Sequence, residues 1–160
     1  AQTLNTLREC DLNEESYSFE AQEVLNLAAN KFNEEGSGLR VSVLESAAAD
    51  QKIDNLKANL ILPILHNLIQ NSIDSEPGVK VFLLAELENE SLILSVRDNG
   101  PGIPEELKKS LFKPIQSQKE NGSGIGLAIC KELAERADAT IMLEKSTDKG
   151  TSFSVTIAIG

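Results

Sequence analysis

Asp98-Asn99-Gly100-Pro101-Gly102 follows directly on an apolar strand predicted from Ser91 to Val96. A carboxylate fixed at the end of a strand can accept a hydrogen bond from an exocyclic amine, such as that of adenine. Gly100 and Gly102 let the chain turn there and let a base approach the backbone. Because Asp-x-Gly-x-Gly is also a common turn, the stretch alone predicts either a turn or one wall of a nucleotide site.

A second glycine cluster, Gly122-Ser123-Gly124-Ile125-Gly126, opens an apolar helix predicted from Ile125 to Arg136. The exposed N–H groups and the dipole of a helix N-terminus favour phosphate oxygens, so the cluster predicts a phosphate contact. A flexible linker is the alternative, which the apolar helix directly after the cluster disfavours. The spacing differs from the dinucleotide fingerprint, and no Gly-x-x-x-x-Gly-Lys-Ser/Thr loop occurs, which excludes a P-loop ATPase. A third glycine segment, Gly150-Thr151, stands near the end of the chain.

Asn67 and Asn71 lie four residues apart on a predicted helix and therefore share one of its faces. An asparagine on a buried face costs free energy unless its amide has a partner. Ligation of a metal ion or contact with a phosphate would supply that partner, and Mg²⁺ suits amide oxygens combined with phosphates and water. A pair of hydrogen-bonded core asparagines is the alternative.

Three basic or titratable residues lie near these motifs. Lys113 and Lys119 stand in the polar segment before the second glycine cluster and could meet a terminal phosphate. Surface lysines without a specific role are the alternative for both. His66 is the only histidine, adjoins the asparagine pair, and is interpreted as a structural imidazole rather than a catalytic one.

Along the rest of the chain, segments with the hydrophobic spacing of helices alternate with segments that have the spacing of strands. The pattern predicts a helix from Phe19 to Glu35 and a second that runs to Asp74, with Asn59 as its N-cap and Pro63 in or just beyond its first turn. The predicted strands cover residues 39–43, 79–88, 91–96, 139–144 and 151–159, and a short helix covers 104–111. Hairpins such as the one at Asn89-Glu90 pair neighbouring strands between the helices. This order favours an α/β two-layer sandwich, with one mixed, mainly antiparallel sheet and helices on one face.

The composition is that of one acidic globular domain. The chain has 160 residues and a formal net charge of −10, which argues against a general binder of nucleic acids or anionic membranes. No apolar run reaches the roughly 18–20 residues of a membrane helix, and no signal peptide opens the chain. Cys10 and Cys130 lack the spacing of metal ligands and are interpreted as free thiols. Residues 1–18 are interpreted as a linker and residues 19–160 as the domain.

Together these segments resemble the catalytic ATP-binding domain of bacterial sensor histidine kinases, in the superfamily shared with gyrase, the ninety-kilodalton heat-shock chaperone and mismatch-repair ATPases. The resemblance covers about residues 19–160 and implies a Bergerat-type ATP-binding fold. Any one of the motifs is weak evidence, but five in the right order are highly specific. They are similar to the asparagine box (66–72), the first glycine box (98–104), the phenylalanine box (111–114), the second glycine box (122–129) and the last glycine box (150–153).

The resemblance implies a role for each matching position. Asp98 would bind the adenine amine, and Asn71, with Asn67, would hold Mg²⁺ against the phosphates of ATP. Residues 104–123 would form the ATP lid, anchored by Phe112. The implied catalytic residues are Asn67, Asn71 and Lys119. The residues implied to contact the nucleotide are Asn71, Asp98, Gly100, Gly102, Ile103, Phe112, Lys113, Gly122, Ser123, Gly124, Ile125, Gly126, Leu127 and Thr151.

Three positions depart from the pattern of the family. Asp74 stands where many members carry a basic residue, so one phosphate contact is missing or is supplied by Lys113 or Lys119. The lid sequence 115–119 lacks the aromatic pair and the two threonines of many relatives. Pro63 is unusual in the helix of the asparagine box.

The residue at position 67 separates two kinds of ATP chemistry. The hydrolases of this superfamily carry a glutamate four residues before the essential asparagine, where it acts as a general base on water. Asn67 occupies that position here, and an amide cannot take the proton. The resemblance therefore implies slow hydrolysis and favours phosphoryl transfer, which needs mainly positioning and charge neutralisation.

The family also implies partners. Its acceptor histidine lies on a separate dimerising hairpin, N-terminal to this domain, so the chain by itself is expected to bind ATP without autophosphorylation. The implied partners are ATP with Mg²⁺, that phosphoacceptor domain and the receiver domain of a response regulator, without nucleic acid or direct membrane contact. The expected location is cytoplasmic, with a parent protein that can be anchored in the inner membrane. A degenerate nucleotide-responsive interaction module and an anti-sigma-type serine kinase are the alternatives.

Overall fold

The computed structural model describes residues 17–33, 40–113 and 126–158, which alternate between strands and helices. The helices are α1 (Ala21–Asn33), α2 (Asn55–Ser75), α3 (Glu105–Lys108) and α4 (Gly126–Arg136). The strands are β1 (Ser18–Glu20), β2 (Val41–Val43), β3 (Lys52–Asp54), β4 (Val81–Glu88), β5 (Ser91–Asp98), β6 (Ala139–Thr147) and β7 (Gly150–Ala158).

Five of the strands form one sheet in the order β2-β4-β5-β7-β6. β2 pairs with β4 in parallel, and the remaining pairs are antiparallel. The predicted hairpin is present between β4 and β5, with Asn89 at a φ of 56°. β1 and β3 form a separate antiparallel pair. The register sets Asp98, at the end of β5, beside Thr151 near the start of β7. Two candidate residues far apart in sequence therefore become neighbours.

Three helices cover one face of the sheet, and the core lies between the two layers. α2 occupies the middle of the helical layer and contacts both α1 and α4. The buried residues of α2 recur at helical spacing and include Ile61, Ile64, Leu65, Leu68 and Ile69. This arrangement confirms the predicted two-layer sandwich with a mixed, mainly antiparallel sheet.

The predicted start of α2 was wrong. The N-cap is Asp54 rather than Asn59, and the Asp54 carboxylate accepts a hydrogen bond of 2.8 Å from the N–H of Lys57. Pro63 therefore lies inside the helix rather than in its first turn. Because proline has no N–H, the carbonyl of Asn59 loses its usual helical donor. Packing of the apolar face on the sheet and on two helices holds α2 together through this defect.

Other boundaries also differ from the predictions. Residues 18–20 form β1, so the first helix begins at Ala21 rather than Phe19. The short strand β3 was not predicted at all. β5 and β6 continue beyond the predicted ends to Asp98 and Thr147. The predicted linker over residues 1–16, the C-terminal end of the first helix and the last strand residue, Ile159, lie outside the described residues.

Cys130 is free and fully buried on α4, and its burial raises the pKa of the thiol to about 12. It therefore remains a neutral core residue at physiological pH. Over the three described ranges, no helix is both long enough and apolar enough to cross a membrane.

Candidate functional site

The carboxylate of Asp98 is fixed by three hydrogen bonds from three parts of the chain. Its Oδ1 accepts from the N–H of Gly100 at 2.9 Å and from the N–H of Thr151 at 3.1 Å. Its Oδ2 accepts from the hydroxyl of Ser72 at 2.6 Å. Since a carboxylate oxygen can accept two hydrogen bonds, Oδ2 keeps one acceptor position for a ligand. The arrangement presents an oriented carboxylate that can receive one further N–H donor.

Two glycines make this close packing possible. Gly102 has a φ of +86°, and a Cβ there would overlap the carbonyl of Thr147 in β6. Gly150 has a φ of +144°, and a Cβ there would overlap the carbonyl of Asp98 itself. Both positions require glycine, because an L side chain is disfavoured at positive φ and would also collide with backbone. The β6–β7 turn is thereby pressed against the loop that follows Asp98.

A hydroxyl pair fastens the same loop to the β6–β7 hairpin. The Ser146 hydroxyl oxygen accepts a hydrogen bond of 2.8 Å from the N–H of Ile103 and lies 3.1 Å from the hydroxyl oxygen of Thr151. The ammonium of Lys108, on α3, donates to the Ser146 carbonyl oxygen at 3.2 Å and forms an ion pair with Glu105. The loop that follows Asp98 and the short helix α3 are therefore fastened to β6.

Phe112 packs against the sheet beside the cleft. Its ring meets that of Phe153 edge to face, with centroids 6.2 Å apart and planes at 85°. Leu111 is also partly buried against the core. The anchoring role that the resemblance implies for Phe112 stays a prediction, and the residues after Lys113 lie outside the described ranges.

These contacts enclose a cleft of about 60 Å³ at the carboxyl end of β5. The predicted site residues that the structure brings together there are Asn71, Asp98, Gly102, Ile103 and Thr151; Ser72, Ser75 and Phe153 complete the lining. Gly100 is buried directly behind the Asp98 carboxylate, and Lys113 is exposed at the end of the described lid base. Gly126 and Leu127 begin α4, whereas Lys119, Gly122, Ser123, Gly124 and Ile125 lie outside the described residues.

Asn67 lines a different hollow from Asn71, although both lie on α2. Its side-chain amide donates a hydrogen bond of 3.1 Å to the carbonyl oxygen of Pro63. This bond fixes the orientation of the amide, whose oxygen accepts no hydrogen bond from the residues that the structure describes. Asn71 is exposed at the cleft, and its side chain makes no hydrogen bond within the described part of the chain.

The residues of the site that were not predicted from the sequence include Ser72 and Ser146, beside the lining residues Ser75 and Phe153. Ser72 follows Asn71 on an otherwise apolar stripe of α2, so a buried polar side chain there was a usable signal. Ser146 gave no such signal, because its contact with Ile103 spans 43 positions. The Ser72 hydroxyl holds the Asp98 carboxylate, and the Ser146 hydroxyl holds the loop that carries Gly100 and Gly102.

The oxygen atoms near the cleft can hold Mg²⁺ only together with a bound ligand that supplies further oxygens. The described residues contain no group of three or more His, Cys, Asp or Glu side chains placed to hold a metal. The uncommitted amide oxygens of Asn71 and Asn67 are hard oxygen donors, but two of them do not complete an octahedral shell. Phosphate oxygens and water would have to supply the remainder.

The sandwich and the cleft at the end of β5 define a nucleotide-binding ATPase domain. Residues 57–160 match the family described as histidine kinase-, DNA gyrase B- and HSP90-like ATPase, and the chain belongs to this family. The curated relatives that it matches include sporulation kinases and a sensor histidine kinase. The match covers α2 and every element after it, which includes all the residues that line the cleft.

The most informative relatives are bacterial. Sporulation kinase C of Bacillus subtilis is 32% identical over 102 residues, which are 63% of this chain and 24% of the relative. The C4-dicarboxylate transport sensor protein DctB of Rhizobium meliloti is 40% identical over 98 residues, 59% of this chain and 16% of the relative. The chain therefore spans a quarter or less of the length of these two proteins.

The fold also matches a solved catalytic domain over most of its length. A nucleotide-free form of the catalytic domain of the histidine kinase ThkA superposes with a TM-score of 0.75 at 28% identity. The match covers 88% of this chain and 93% of that domain. The chain is thus similar in sequence and architecture to the catalytic domains of sensor histidine kinases.

Proposed function

We propose that this chain is the ATP-binding catalytic domain of a two-component sensor histidine kinase. It binds MgATP and transfers the γ-phosphoryl group to a histidine on a separate dimerisation domain, from which the group passes to the receiver domain of a response regulator. Membership of the ATPase family and the kinase relatives support this proposal.

The observation that carries the proposal is the oriented carboxylate of Asp98. Its Oδ2 retains one acceptor position beside the Ser72 hydroxyl, and adenine offers an exocyclic N–H₂ to such an acceptor. Guanine carries a carbonyl oxygen at the same ring position. The partial negative charge of that oxygen would be repelled by the negative carboxylate. The site is therefore selective for adenine nucleotides.

We assign Mg²⁺ to Asn71, with Asn67 as the second amide toward the phosphates. Lys113, and Lys119 beyond the described residues, are the cations proposed to neutralise the terminal phosphate. The glycines 122, 124 and 126 and the start of α4 are proposed to receive phosphate oxygens. Asn67 has no proton-accepting group comparable to a carboxylate, so the domain positions ATP for transfer without activating water.

Nucleotide binding to Asp98→Asn tests the site. We expect the variant to bind ATP at least about tenfold more weakly, since a charge-assisted hydrogen bond is replaced by a neutral one. Asp138→Asn is the matched control, because Asp138 is exposed at the opposite end of β6. Unchanged ATP affinity in a folded Asp98→Asn variant would sink the assignment. Equally tight binding of GTP and ATP by the unaltered chain would also contradict the assignment, and this measurement needs no variant.

A labelling experiment tests the direction of transfer. The chain is incubated with radiolabelled MgATP alone and with the histidine-bearing dimerisation domain of its parent protein. We expect acid-labile phosphate on the added domain and none on His66. Stable label on His66, or rapid release of free phosphate without an acceptor, would contradict the transfer mechanism.

One observation favours a second candidate, a nucleotide-responsive interaction module without kinase activity. Asp74 places a carboxylate on α2, held by a hydrogen bond of 2.9 Å from Gln70, at a position where the resemblance to the kinase family implies a basic residue. Such a domain would bind ATP normally but would not phosphorylate its parent's dimerisation domain. Asp74→Lys separates the two functions. If the domain is a kinase, the variant should phosphorylate the dimerisation domain at least as well as the unaltered chain. If the domain is a module that is inactive because the cation is missing, only the variant should phosphorylate it.

A further inference from the structure

The hydroxyl of Ser146 joins two residues of the cleft that lie far apart in sequence. Its oxygen accepts a hydrogen bond of 2.8 Å from the N–H of Ile103 and lies 3.1 Å from the hydroxyl oxygen of Thr151. Ile103 and Thr151 both line the cleft, whereas Ser146, half-buried on β6, does not. Ser146 can therefore act on a bound base only through these two neighbours.

The side chain of Thr151 has one hydrogen whose direction is open. Its backbone N–H is committed to Oδ1 of Asp98 at 3.1 Å. Its hydroxyl makes a single hydrogen bond within the part of the chain that the structure describes, the one shared with Ser146. Because a hydroxyl offers one donor and two acceptor positions, the direction of that bond decides what Thr151 presents to the cleft. Thr151 can donate to a ligand only if it accepts from Ser146.

The contacts of Ser146 favour this direction. Its oxygen already accepts from Ile103, and among residues 17–33, 40–113 and 126–158 the oxygen of Thr151 is the one acceptor for its hydrogen. Donation from Ser146 to Thr151 therefore pairs the Ser146 hydrogen and leaves that of Thr151 for a ligand. The reverse direction would leave the Ser146 hydrogen without a partner in these ranges. Successive hydrogen bonds that run the same way also strengthen one another.

We propose that Ser146 is a positioning residue for the base: by donating to Thr151, it directs the Thr151 hydrogen at the ring nitrogen N1 of adenine. Asp98 accepts from the exocyclic amine, which neighbours N1 on the same edge of adenine, and Thr151 is the partner of Asp98 across β5 and β7. An acceptor beside a donor matches this edge, whereas guanine presents the opposite order, a carbonyl oxygen beside an N–H. The inference rests on the proposed function, because it requires an adenine nucleotide at Asp98.

The analogue 1-deaza-ATP tests this hydrogen bond, because a C–H group replaces N1 while the exocyclic amine remains. The affinities of the whole chain for ATP and for the analogue, each with Mg²⁺, are measured by titration calorimetry. We expect the unaltered chain to bind ATP about fivefold more tightly than the analogue, since one neutral hydrogen bond separates the two complexes. Ser146→Ala and Thr151→Val should each bring this ratio close to unity, and the double variant should lower it no further.

The ratio of the two affinities separates positioning from support of the loop. Loss of the bond to Ile103 alone would weaken both nucleotides alike and leave their ratio unchanged. Ser146→Thr keeps a hydroxyl and should retain the ratio of the unaltered chain. Ser154→Ala is the matched control, because its buried hydroxyl lies on β7 outside the cleft. A Ser146→Ala protein that keeps the ratio, or an unaltered chain that binds both nucleotides equally, would overturn the inference.

Asp98→Asn distinguishes failure of this inference from failure of the proposed function. Both nucleotides carry the exocyclic amine, so this variant should weaken both by a similar factor and preserve their ratio. If Asp98→Asn leaves both affinities unchanged, the adenine site is wrong and the role of Ser146 falls with it. If Asp98→Asn weakens both while Ser146→Ala keeps the ratio, the proposed function stands and only the role of Ser146 is wrong.

Discussion

Ser72 and Asp98 are 26 positions apart in sequence, yet the hydroxyl of the first donates a hydrogen bond of 2.6 Å to the carboxylate of the second. The bond joins α2, which carries Asn71, to the end of β5, which carries the carboxylate proposed to select adenine. It orients Asp98 and connects the helical layer to the sheet at the mouth of the cleft.

Removal of this hydroxyl should cost both stability and affinity. We expect Ser72→Ala to lower the free energy of unfolding by about 1–2 kcal/mol, because one hydrogen bond to a charged group is lost in a partly buried setting. Urea denaturation measures the effect, and ATP titration should show weaker binding. Ser154→Ala is the matched control, since its buried hydroxyl donates to the Glu144 carboxylate and lies outside the cleft. An equal loss of ATP affinity in the two variants would mean that Asp98 gains nothing special from Ser72.

Two glycines with nearly the same backbone angle allow steric overlap to be separated from backbone strain. Gly102 and Gly78 have φ values of +86° and +83°, but a Cβ at Gly102 would overlap the Thr147 carbonyl, while one at Gly78 has nothing within 4 Å. We expect Gly78→Ala to lower the free energy of unfolding by about 1 kcal/mol and Gly102→Ala by about 3 kcal/mol or more. Thermal and urea melts of both variants provide the comparison. If the Gly102→Ala and Gly78→Ala proteins were equally stable, the Thr147 carbonyl in β6 would be able to move aside at little cost in free energy.

His66 should make stability depend on pH. Its folded-state pKa lies below the ordinary value of 6.5, chiefly through burial and then through Lys31. The unfolded state therefore binds the proton first, so stability is fully present above about pH 6.5 and is lost as the pH falls through the folded-state pKa. We expect the urea midpoint of His66→Gln to change less than that of the unaltered chain between about pH 7.5 and 5.5. An imidazole pKa at or above 6.5 in chloride buffer would refute this expectation.

Pro63 should be a site where a substitution stabilises the fold. It lies inside α2, where it removes the N–H that would bond the Asn59 carbonyl. We expect Pro63→Ala to raise the free energy of unfolding by about 1–3 kcal/mol, less the packing that the proline ring contributes to the hollow lined by Asn67. Differential scanning calorimetry measures the gain. A lower melting temperature would mean that the ring's packing outweighs the restored hydrogen bond.

The sequence predicted those parts of the fold that depend on periodicity. The apolar stripe of α2 and the placement of Asp98 at the end of a strand both follow from local spacing, and both are present. The start of α2 was missed because Asp54 and Asn59 are both good N-caps, and a proline usually marks a first turn. Tertiary packing decided between them. β1 and β3 have three residues each, too few for an alternating pattern to show.

The site was predictable only in part, for a related reason. Asp98, Gly102 and Thr151 carried signals in their own segments, whereas Ser146 enters the site through a contact with Ile103 that no local pattern encodes. Asn67 and Asn71 share a helix face as their spacing predicted, but they line separate hollows. The spacing of two residues along a helix determines whether their side chains point in the same direction. It does not determine which neighbouring element packs beside each side chain.

The three donors to Asp98 come from α2, from the loop after β5 and from β7, the last of them 53 positions away. The carboxylate is therefore oriented only after the middle helix has docked and the final hairpin has closed. A chain in which any of these segments is undocked lacks a donor to the carboxylate, so a nucleotide held by Asp98 would bind the complete fold in preference and stabilise it by mass action.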